Sequence, residues 1–244
     1  MLEVKDLTAG YGETLIVREV SLRLLSGRLT ALCGANGAGK TTLLHAIAGL
    51  IRHSNGQVLY QGKDIGRLPA HARARLGIAL VPEGRRLFAK MTVAENLEMG
   101  AFAARGRGRD ADTLTRVYEL FPRLKERQRQ AAGALSGGEQ QMLAVARGLM
   151  ARPAVLIFDE LTLGLSPALS LDLFRAVRRL KEAGLTMLLV EQNVHIALAI
   201  SDDAYVLHEG RVWMSGEART LASRPEFQEA FLGPDSTVSD QPTI

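Results

Sequence analysis

Hydrophobic and polar residues alternate along the chain with more than one period. Near the N-terminus the period is two, most clearly over residues 20–24, and this predicts antiparallel strands at 2–7 and 15–24. Farther along, short and fully apolar runs bounded by turn residues predict buried strands. These runs cover residues 29–33, 78–81, 154–158 and 185–190. Helical patterns separate them, so we expect an α/β fold.

A helical period dominates the middle of the chain, residues 92–151. Thr92 is a candidate N-cap, and Glu95 follows three residues later as in a capping box. An amphipathic helix is predicted over 112–128, with an interruption near Pro122. This stretch is therefore predicted to be a helical subdomain inserted into an α/β core.

The change of pattern suggests how the domains divide. We expect an α/β core from residues 1–84 and 152–233, and the helical subdomain from residues 85–151. The Arg-Gly-Arg-Gly-Arg stretch at 105–109 is predicted to be a solvated basic loop, and the tail at 234–244 to be disordered. The remaining predictions are strands at 56–60, 203–208 and 211–215, helices at 69–75 and 167–183, and a terminal helix.

Composition narrows the class of protein. The 244 residues, of which 47% are hydrophobic, suffice for one large domain or two small lobes. No apolar run approaches the ~18–20 residues of a membrane span, and the charged N-terminus is unlike a signal peptide. Cys33 is the single cysteine, so an internal disulfide is excluded and we expect a core residue. The net charge of +4 is mild, and we expect a cytoplasmic chain.

The strongest chemical signal is Gly-Ala-Asn-Gly-Ala-Gly-Lys-Thr-Thr at residues 34–42. It matches the G-x-x-x-x-G-K-[ST] spacing of a phosphate-binding loop, between a predicted buried strand and a predicted helix over 40–50. Lys40 would reach the β- and γ-phosphates, and the Thr41 hydroxyl would reach Mg²⁺. The alternative is a glycine-rich turn that binds nothing. The predicted nucleotide-binding residues here are Gly34, Asn36, Gly37, Gly39, Lys40, Thr41 and Thr42.

A second candidate anion site opens a later helix. Ser136 is an N-cap residue, and Gly137 and Gly138 expose backbone N–H groups at the helix start.

Acidic and amide side chains follow three of the predicted buried strands. Asp159 and Glu160 point to opposite sides because they are consecutive, so Asp159 can enter a Mg²⁺ shell while Glu160 orients or deprotonates a water. Glu83 follows the strand at 78–81, where ligands bind in open α/β sheets, although an exposed charged loop is the alternative. Gln192 follows the strand at 185–190.

Tyr11 lies between Gly10 and Gly12, after the first predicted strand. An aromatic ring there can stack on a nucleobase, or it can cover the edge of the core. The pattern leaves both interpretations open.

These motifs, in this order, resemble the ATP-binding subunit of an ABC transporter over nearly the whole chain up to Gly233. The resemblance implies a P-loop NTPase (RecA-like) core with N-terminal antiparallel strands and an inserted helical subdomain. It implies ATP and Mg²⁺ as ligands, and the Leu-Ser-Gly-Gly-Glu signature at 135–139 of one subunit closing over the ATP of another. The partners would be a membrane permease and a second ATP-binding subunit, either the same chain or a sister chain, without nucleic acid. The resemblance also implies that the chain is cytoplasmic and bound peripherally to the inner face of the cell membrane.

The same resemblance implies individual roles. Tyr11 would stack on adenine, Asp159 and Glu83 would contact the metal, and Glu160 would be the catalytic base. Gln192 stands where most members have a histidine that contacts the γ-phosphate, and we predict that its amide takes over that contact or holds the attacking water. His195, near the start of the following helix, is the rival candidate.

Within the family, the chain is similar to the LivF type, the second ATPase subunit of branched-chain amino-acid importers. The stretches that carry this similarity are 81–88, 91–97, 118–124 and 190–193. Glu83 stands where most ABC members have a glutamine that contacts metal and water, and this departure, like Gln192, is typical of the LivF type. Two further residues depart from the general ABC pattern without an explanation at this level. Leu161 stands where proline is usual, and Ser166 stands where many members have an aspartate.

Other functions compete with amino-acid import. Urea, amide and lipopolysaccharide-export ATPases look similar. A soluble ABC ATPase that acts on nucleic acid or ribosomes usually carries two cassettes or a long coiled-coil insertion, and this chain has neither. The signature at 135–139 argues against a P-loop kinase.

Overall fold

The strands form two sheets in the computed structural model, which describes residues 1–102 and 110–227. The predicted basic loop at 105–109 and the predicted tail at 234–244 lie outside the described residues. The strands are β1 (Leu2–Tyr11), β2 (Thr14–Leu24), β3 (Leu29–Cys33), β4 (His53–Tyr60), β5 (Lys63–Asp64), β6 (Ile78–Val81), β7 (Val155–Asp159), β8 (Thr186–Val190), β9 (Asp203–His208) and β10 (Arg211–Glu217).

The smaller sheet is antiparallel, and the larger one is mostly parallel. The smaller sheet has the order β2-β1-β4-β5, and the larger has the order β10-β9-β3-β8-β7-β6. β3, β6, β7, β8 and β9 pair in parallel, and β10 joins β9 antiparallel at one edge. Every residue of β3, β7 and β8 is buried, which explains their apolar sequences. The carboxyl ends of the parallel strands therefore meet at one edge.

The helices cover both faces of the larger sheet. They are α1 (Lys40–Ala48), α2 (Ala70–Arg75), α3 (Val93–Ala101), α4 (Asp110–Leu120), α5 (Pro122–Glu126), α6 (Gly137–Met150), α7 (Pro167–Glu182), α8 (Val194–Ile200) and α9 (Ala218–Ala222), with a 3₁₀ turn at Ala132–Ala134. None of the helices within the described ranges is long and apolar enough to cross a membrane.

The helix that begins at Lys40 packs between the two sheets. Leu43, Leu44 and Ile47 of α1 are fully buried. They belong to one apolar cluster with residues of both sheets, among them Val20 of β2 and Ile157 of β7. The start of α1 is thus fixed from two sides.

A second apolar cluster joins the opposite face of the larger sheet to α3, α6 and α7. Leu156 and Phe158 of β7 point into it, whereas Ile157 between them points into the cluster around α1. Leu143 of α6 and Phe174 of α7 cover these side chains. The helices from α3 to α6 are thereby packed onto the sheet that carries the acidic residues.

The predicted elements agree with the structure except at several ends. β1 continues through Tyr11, so that residue ends a strand instead of lying in a loop. α1 ends at Ala48 because Gly49 takes a left-handed conformation (φ 76°). The helix predicted over 112–128 is α4 and α5, separated before Pro122. The predicted capping box of Thr92 and Glu95 is present at the start of α3.

Arg73 of α2 is almost wholly buried and closes the C-terminal end of α1. Its guanidinium donates to the carbonyl oxygens of Ala46 and Ile47 at 2.7 Å each, in the last turn of α1. It also donates to the carbonyl oxygens of Leu68 at 2.9 Å and Gly66 at 2.7 Å. One side chain therefore satisfies carbonyl groups that the end of a helix leaves unpaired.

We predict that Arg73→Met lowers the free energy of unfolding by about 2–3 kcal/mol, because buried carbonyl groups lose their donors. The measurement is urea denaturation of the variant and the parent chain. Arg75→Met is the matched control, since Arg75 lies on the same helix and is exposed. Equal losses in the two variants would contradict the capping role of Arg73.

Candidate functional site

Residues 34–39 connect β3 to α1 as a loop whose tip is exposed at Ala35, Asn36 and Gly37. Gly34, Gly37 and Gly39 all have positive φ angles. At Gly34 a side chain is excluded, because a Cβ there would lie 2.4 Å from the carbonyl oxygen of Leu207. The predicted strand, loop and helix are therefore all present.

Lys40 is buried beneath this loop, with 5% of its surface exposed. Its Nζ donates to the carbonyl oxygens of Gly34 at 2.8 Å and Ala35 at 3.1 Å. The ammonium group thus lies inside the loop, at the N-terminal end of α1, where a helix favours anions. Thr42, on the same first turn, is also buried.

Thr41 and Asp159 link the start of α1 to the end of β7. The Thr41 hydroxyl donates to Asp159 Oδ1 at 3.3 Å. Asp159 is 2% exposed, and burial, followed by the charge of Glu160, raises the pKa of its carboxyl group to about 6. Asp159 therefore ionises less readily than a free aspartate, and a cation against it would favour the ionised form. The hydroxyl and the carboxylate suit Mg²⁺, which commonly takes one or two protein oxygens and completes its shell with phosphates and water.

Glu160 follows Asp159 in a left-handed conformation, with φ of 51°. Its backbone N–H donates to the carbonyl oxygen of Val190 at 3.0 Å. Its Oε2 accepts a hydrogen bond from Gln192 Nε2 at 2.8 Å. The structure thus places the Gln192 amide against the carboxylate of Glu160.

Glu83 lies just beyond the end of β6, the strand that pairs with β7. Its side chain is exposed, and it lines a cleft of about 370 Å³ together with Glu160. Its charge also contributes to the raised pKa of Asp159. Glu83, Asp159 and Glu160 are therefore at the same edge of the sheet, as their positions after β6 and β7 predict.

Tyr11 is half exposed at the end of β1. Its hydroxyl group lies 3.2 Å from Nδ1 of His45, a residue of α1. The ring is therefore held beside the helix that follows the phosphate loop. His45 had no sequence signal, since nothing in its neighbourhood marks it as a partner of Tyr11.

Ser136 caps α6, as predicted. Its Oγ accepts from the backbone N–H of Glu139 at 3.4 Å, and Glu139 Oε2 accepts from the backbone N–H of Ser136 at 2.9 Å. A Cβ on Gly137 would lie 3.2 Å from the Arg85 guanidinium, and Gly138 packs on Leu169 of α7. The hydrogen bonds that Ser136 makes with Glu139 lie within the first turn of α6.

The comparisons with known proteins agree with these motifs. The family model described as "ABC transporter" matches residues 17–163. The chain belongs to the ABC transporter family. It is 43% identical over 237 residues to the high-affinity branched-chain amino acid transport ATP-binding protein BraG of Pseudomonas aeruginosa, covering 96% of this chain and 100% of BraG. It is 41% identical to the probable branched-chain amino acid transport ATP-binding protein LivF of Archaeoglobus fulgidus, covering 96% of this chain and 99% of LivF.

Solved structures agree on the fold. The ADP conformation of an ATP-binding cassette of an ABC transporter matches with a TM-score of 0.82 and 27% identity, over 96% of this chain and 98% of that cassette. The dimeric structure of a bacterial ABC transporter cassette matches with a TM-score of 0.78 and 25% identity, over 90% of this chain and 99% of that one. The predicted ABC ATPase architecture and ATPase class are confirmed, and the family's cassettes bind nucleotide and form dimers.

The two unexplained departures from the family pattern have different surroundings. Leu161 is 1% exposed and belongs to the cluster beneath α6 and α7, so apolar burial explains a large side chain there. Ser166 is the N-cap residue of α7, yet its side chain makes no capping hydrogen bond. His195 is exposed on α8.

We predict that Gln192→Ala lowers ATP turnover about 10- to 100-fold, because Glu160 loses its hydrogen-bond donor. Gln192→His should retain much of the activity, since an imidazole N–H can donate to the same carboxylate. The measurement is steady-state ATP hydrolysis. His195→Ala is the control and should hydrolyse ATP at the parent rate. If Gln192→Ala hydrolysed ATP at the parent rate while His195→Ala was inactive, the role would belong to His195 and the prediction would be wrong.

Proposed function

We propose that this chain is the ATP-hydrolysing subunit of an importer for branched-chain, hydrophobic amino acids, acting through a separate membrane permease. The observation that carries the ATPase part is the contact of Thr41 with Asp159 beside the Lys40 loop. The assignment of the solute rests on the similarity to BraG and LivF, whose names include branched-chain amino acid transport. The proposed place is peripheral, on the inner face of the membrane.

In the proposed reaction, the backbone of residues 34–39 and Lys40 bind the β- and γ-phosphates of ATP. Thr41, Asp159 and Glu83 would hold Mg²⁺, which when bound neutralises charge on the phosphates. Glu160, held by Gln192, orients and deprotonates the attacking water. Gln192 is also placed to contact the γ-phosphate or that water, which stays a prediction.

The remaining predicted ligands complete the proposed nucleotide site. Tyr11 would stack on adenine, and its contact with His45 supports this because it holds the ring beside α1. Asn36 and Thr42 belong to the same loop and first helical turn. Ser136, Gly137 and Gly138 would bind the ATP of a second subunit, because the start of a helix such as α6 favours anions. The proposed assembly is a head-to-tail dimer with a sister chain or with itself.

The proposed domain division is a nucleotide-binding core, residues 1–84 and 152–233, with a helical subdomain over residues 85–151. A groove of about 480 Å³ runs between the two parts. Leu50, Phe88 and Met99 line it and are each about half exposed, and Arg86 and Arg147 add charge. Its apolar lining supports a permease segment as the partner.

We predict that hydrolysis needs residues from two chains. Lys40→Ala alone should lose ATP binding, and Ser136→Arg alone should lose hydrolysis. A mixture of the two variants should recover activity, because one of the two sites in a mixed dimer then has an intact Lys40 and an intact Ser136. The measurement is ATP hydrolysis against mixing ratio. No recovery from a mixture shown to contain mixed dimers would contradict the shared site.

The transport function is tested with the chain and its permease reconstituted in vesicles. Uptake of leucine, isoleucine and valine should require ATP. Glu160→Gln should slow ATP hydrolysis by about 10²–10⁴-fold, as the loss of a general base does, and it should stop uptake. Glu160→Gln should still bind ATP. Transport of a different solute would retain the ATPase assignment and remove the amino-acid one. Parent-level turnover in Glu160→Gln would remove Glu160 as the base.

A further inference from the structure

The turn between β7 and α7, residues 160–166, carries Glu160 and is attached to the end of β8. Glu160 itself has the left-handed φ of 51°, which a non-glycine residue keeps only when its surroundings impose it. Leu161 comes next, where proline is usual in the family, and it lacks the proline ring that would restrict the backbone. Contacts from outside the turn must therefore hold Glu160 in place, and they are the packing of the buried Leu161 and a set of hydrogen bonds.

The last residue of β8 and the two residues after it supply those hydrogen bonds. The carbonyl oxygen of Val190 accepts from the backbone N–H of Glu160 at 3.0 Å, and Gln192 Nε2 donates to Glu160 Oε2 at 2.8 Å. Between them, Glu191 Oε1 accepts from the backbone N–H of Thr162 at 3.0 Å and from the Thr162 hydroxyl at 3.1 Å. The turn is thus bound at Glu160 and again two residues later.

The carboxyl group of Glu191 is buried, which is unfavourable for the stability of the fold. Glu191 is 3% exposed, and burial is the main reason that the pKa of its carboxyl group is raised, with the charge of Glu160 adding to it. Burying a carboxyl group near another carboxylate costs stability unless hydrogen bonds compensate for it. Both of the Thr162 donors converge on one Glu191 oxygen, and the backbone N–H of Gln192 also bonds to this carboxyl group. Glu191 therefore ties Thr162 to the residue that contacts the carboxylate of Glu160.

We propose that Glu191 is a positioning residue for Glu160, which anchors Thr162 and so keeps Glu160 in its left-handed conformation with the carboxylate beside Gln192. Glu191 itself touches neither ATP nor the metal. The proposal rests on the role of Glu160 as the base in the proposed function. It predicts that losing the anchor slows the chemical step without weakening nucleotide binding, since the predicted phosphate contacts come from Lys40, on α1, and from the loop before it.

The test compares Glu191→Ala with Glu191→Gln in the full chain. Glu191→Ala removes the acceptor, and we expect kcat to fall about 10- to 100-fold, the usual cost of losing a residue that orients a functional carboxylate. The KM for ATP and the affinity for ATP should stay within about threefold, because the phosphate contacts are unchanged. Glu191→Gln keeps a carbonyl oxygen for both Thr162 donors and should recover most of the lost kcat.

A second pair of variants separates positioning from a general loss of structure. Glu191→Ala introduced into Glu160→Gln should lower the residual turnover less than about twofold, because the residue that it positions is already disabled. Thr162→Val removes one of the two hydrogen bonds and should lower kcat about three- to tenfold. If Glu191→Ala fails to fold, Glu191→Gln and Thr162→Val decide the question: near-parent kcat for the first and lowered kcat for the second supports the proposal.

Several results would overturn the proposal. One is a parent-level kcat in Glu191→Ala or in Thr162→Val, and another is a kcat of Glu191→Gln no higher than that of Glu191→Ala. A third is a loss of ATP affinity in Glu191→Ala as large as its loss of kcat. The last is a loss of turnover from Glu191→Ala that is as large in the Glu160→Gln background as in the parent chain. Glu160→Gln alone serves as the reference. If it hydrolyses ATP at the parent rate, the proposed function fails; if it is slow while Glu191→Ala is normal, only the positioning role fails.

Discussion

The parallel pairing of β7 with β8 and, through β8, with β3 is the constraint on which the rest of the structure depends. It brings the ends of these strands to one edge, so that Asp159 lies against Thr41 and Glu160 lies against Gln192. The arrangement concentrates negative charge around the buried Asp159, and burial together with the charges of Glu160 and Glu83 raises the pKa of its carboxyl group. A cationic ligand or a positively charged side chain offsets such a cost, and the charge of Lys40 acts in this direction.

The buried side chains around this edge explain why it keeps its shape. α1 is packed from both sheets and closed at its end by Arg73, so its first turn cannot shift without moving the core. The turn after β7 is anchored on its inner side by the buried Leu161, whereas Leu163 on its outer side is exposed. Polar contacts from Val190, Glu191 and Gln192 hold Glu160 and Thr162 in addition. Rigid packing thus positions the phosphate-binding residues, while packing and hydrogen bonds together position Glu160.

The sequence predicted the site best where its chemistry is local. The loop at 34–42 and the Asp159-Glu160 pair are each contiguous in the sequence, so their spacing can be read directly. The buried strands beside them are predicted by short apolar runs. Arg73 could not be found in this way, because in the sequence it is one of several arginines in a short helix and its carbonyl partners lie in other segments. Glu191 lies in the stretch at 190–193 that carries the family similarity, but its role could not be predicted because its partner Thr162 lies in another segment. The contact of Gln192 with Glu160 was also missed, since it needs the register of two strands.

The packing of Gly138 against Leu169 has a consequence for the proposed dimer. The start of α6, which would face the nucleotide of the other subunit, rests on the helix that follows the chain's own Glu160. In the proposed dimer, a movement of α7 at one nucleotide would therefore displace the surface that completes the other site. This contact would couple the two sites. The rate of hydrolysis should then rise more steeply than hyperbolically with ATP concentration, as a cooperative enzyme's does.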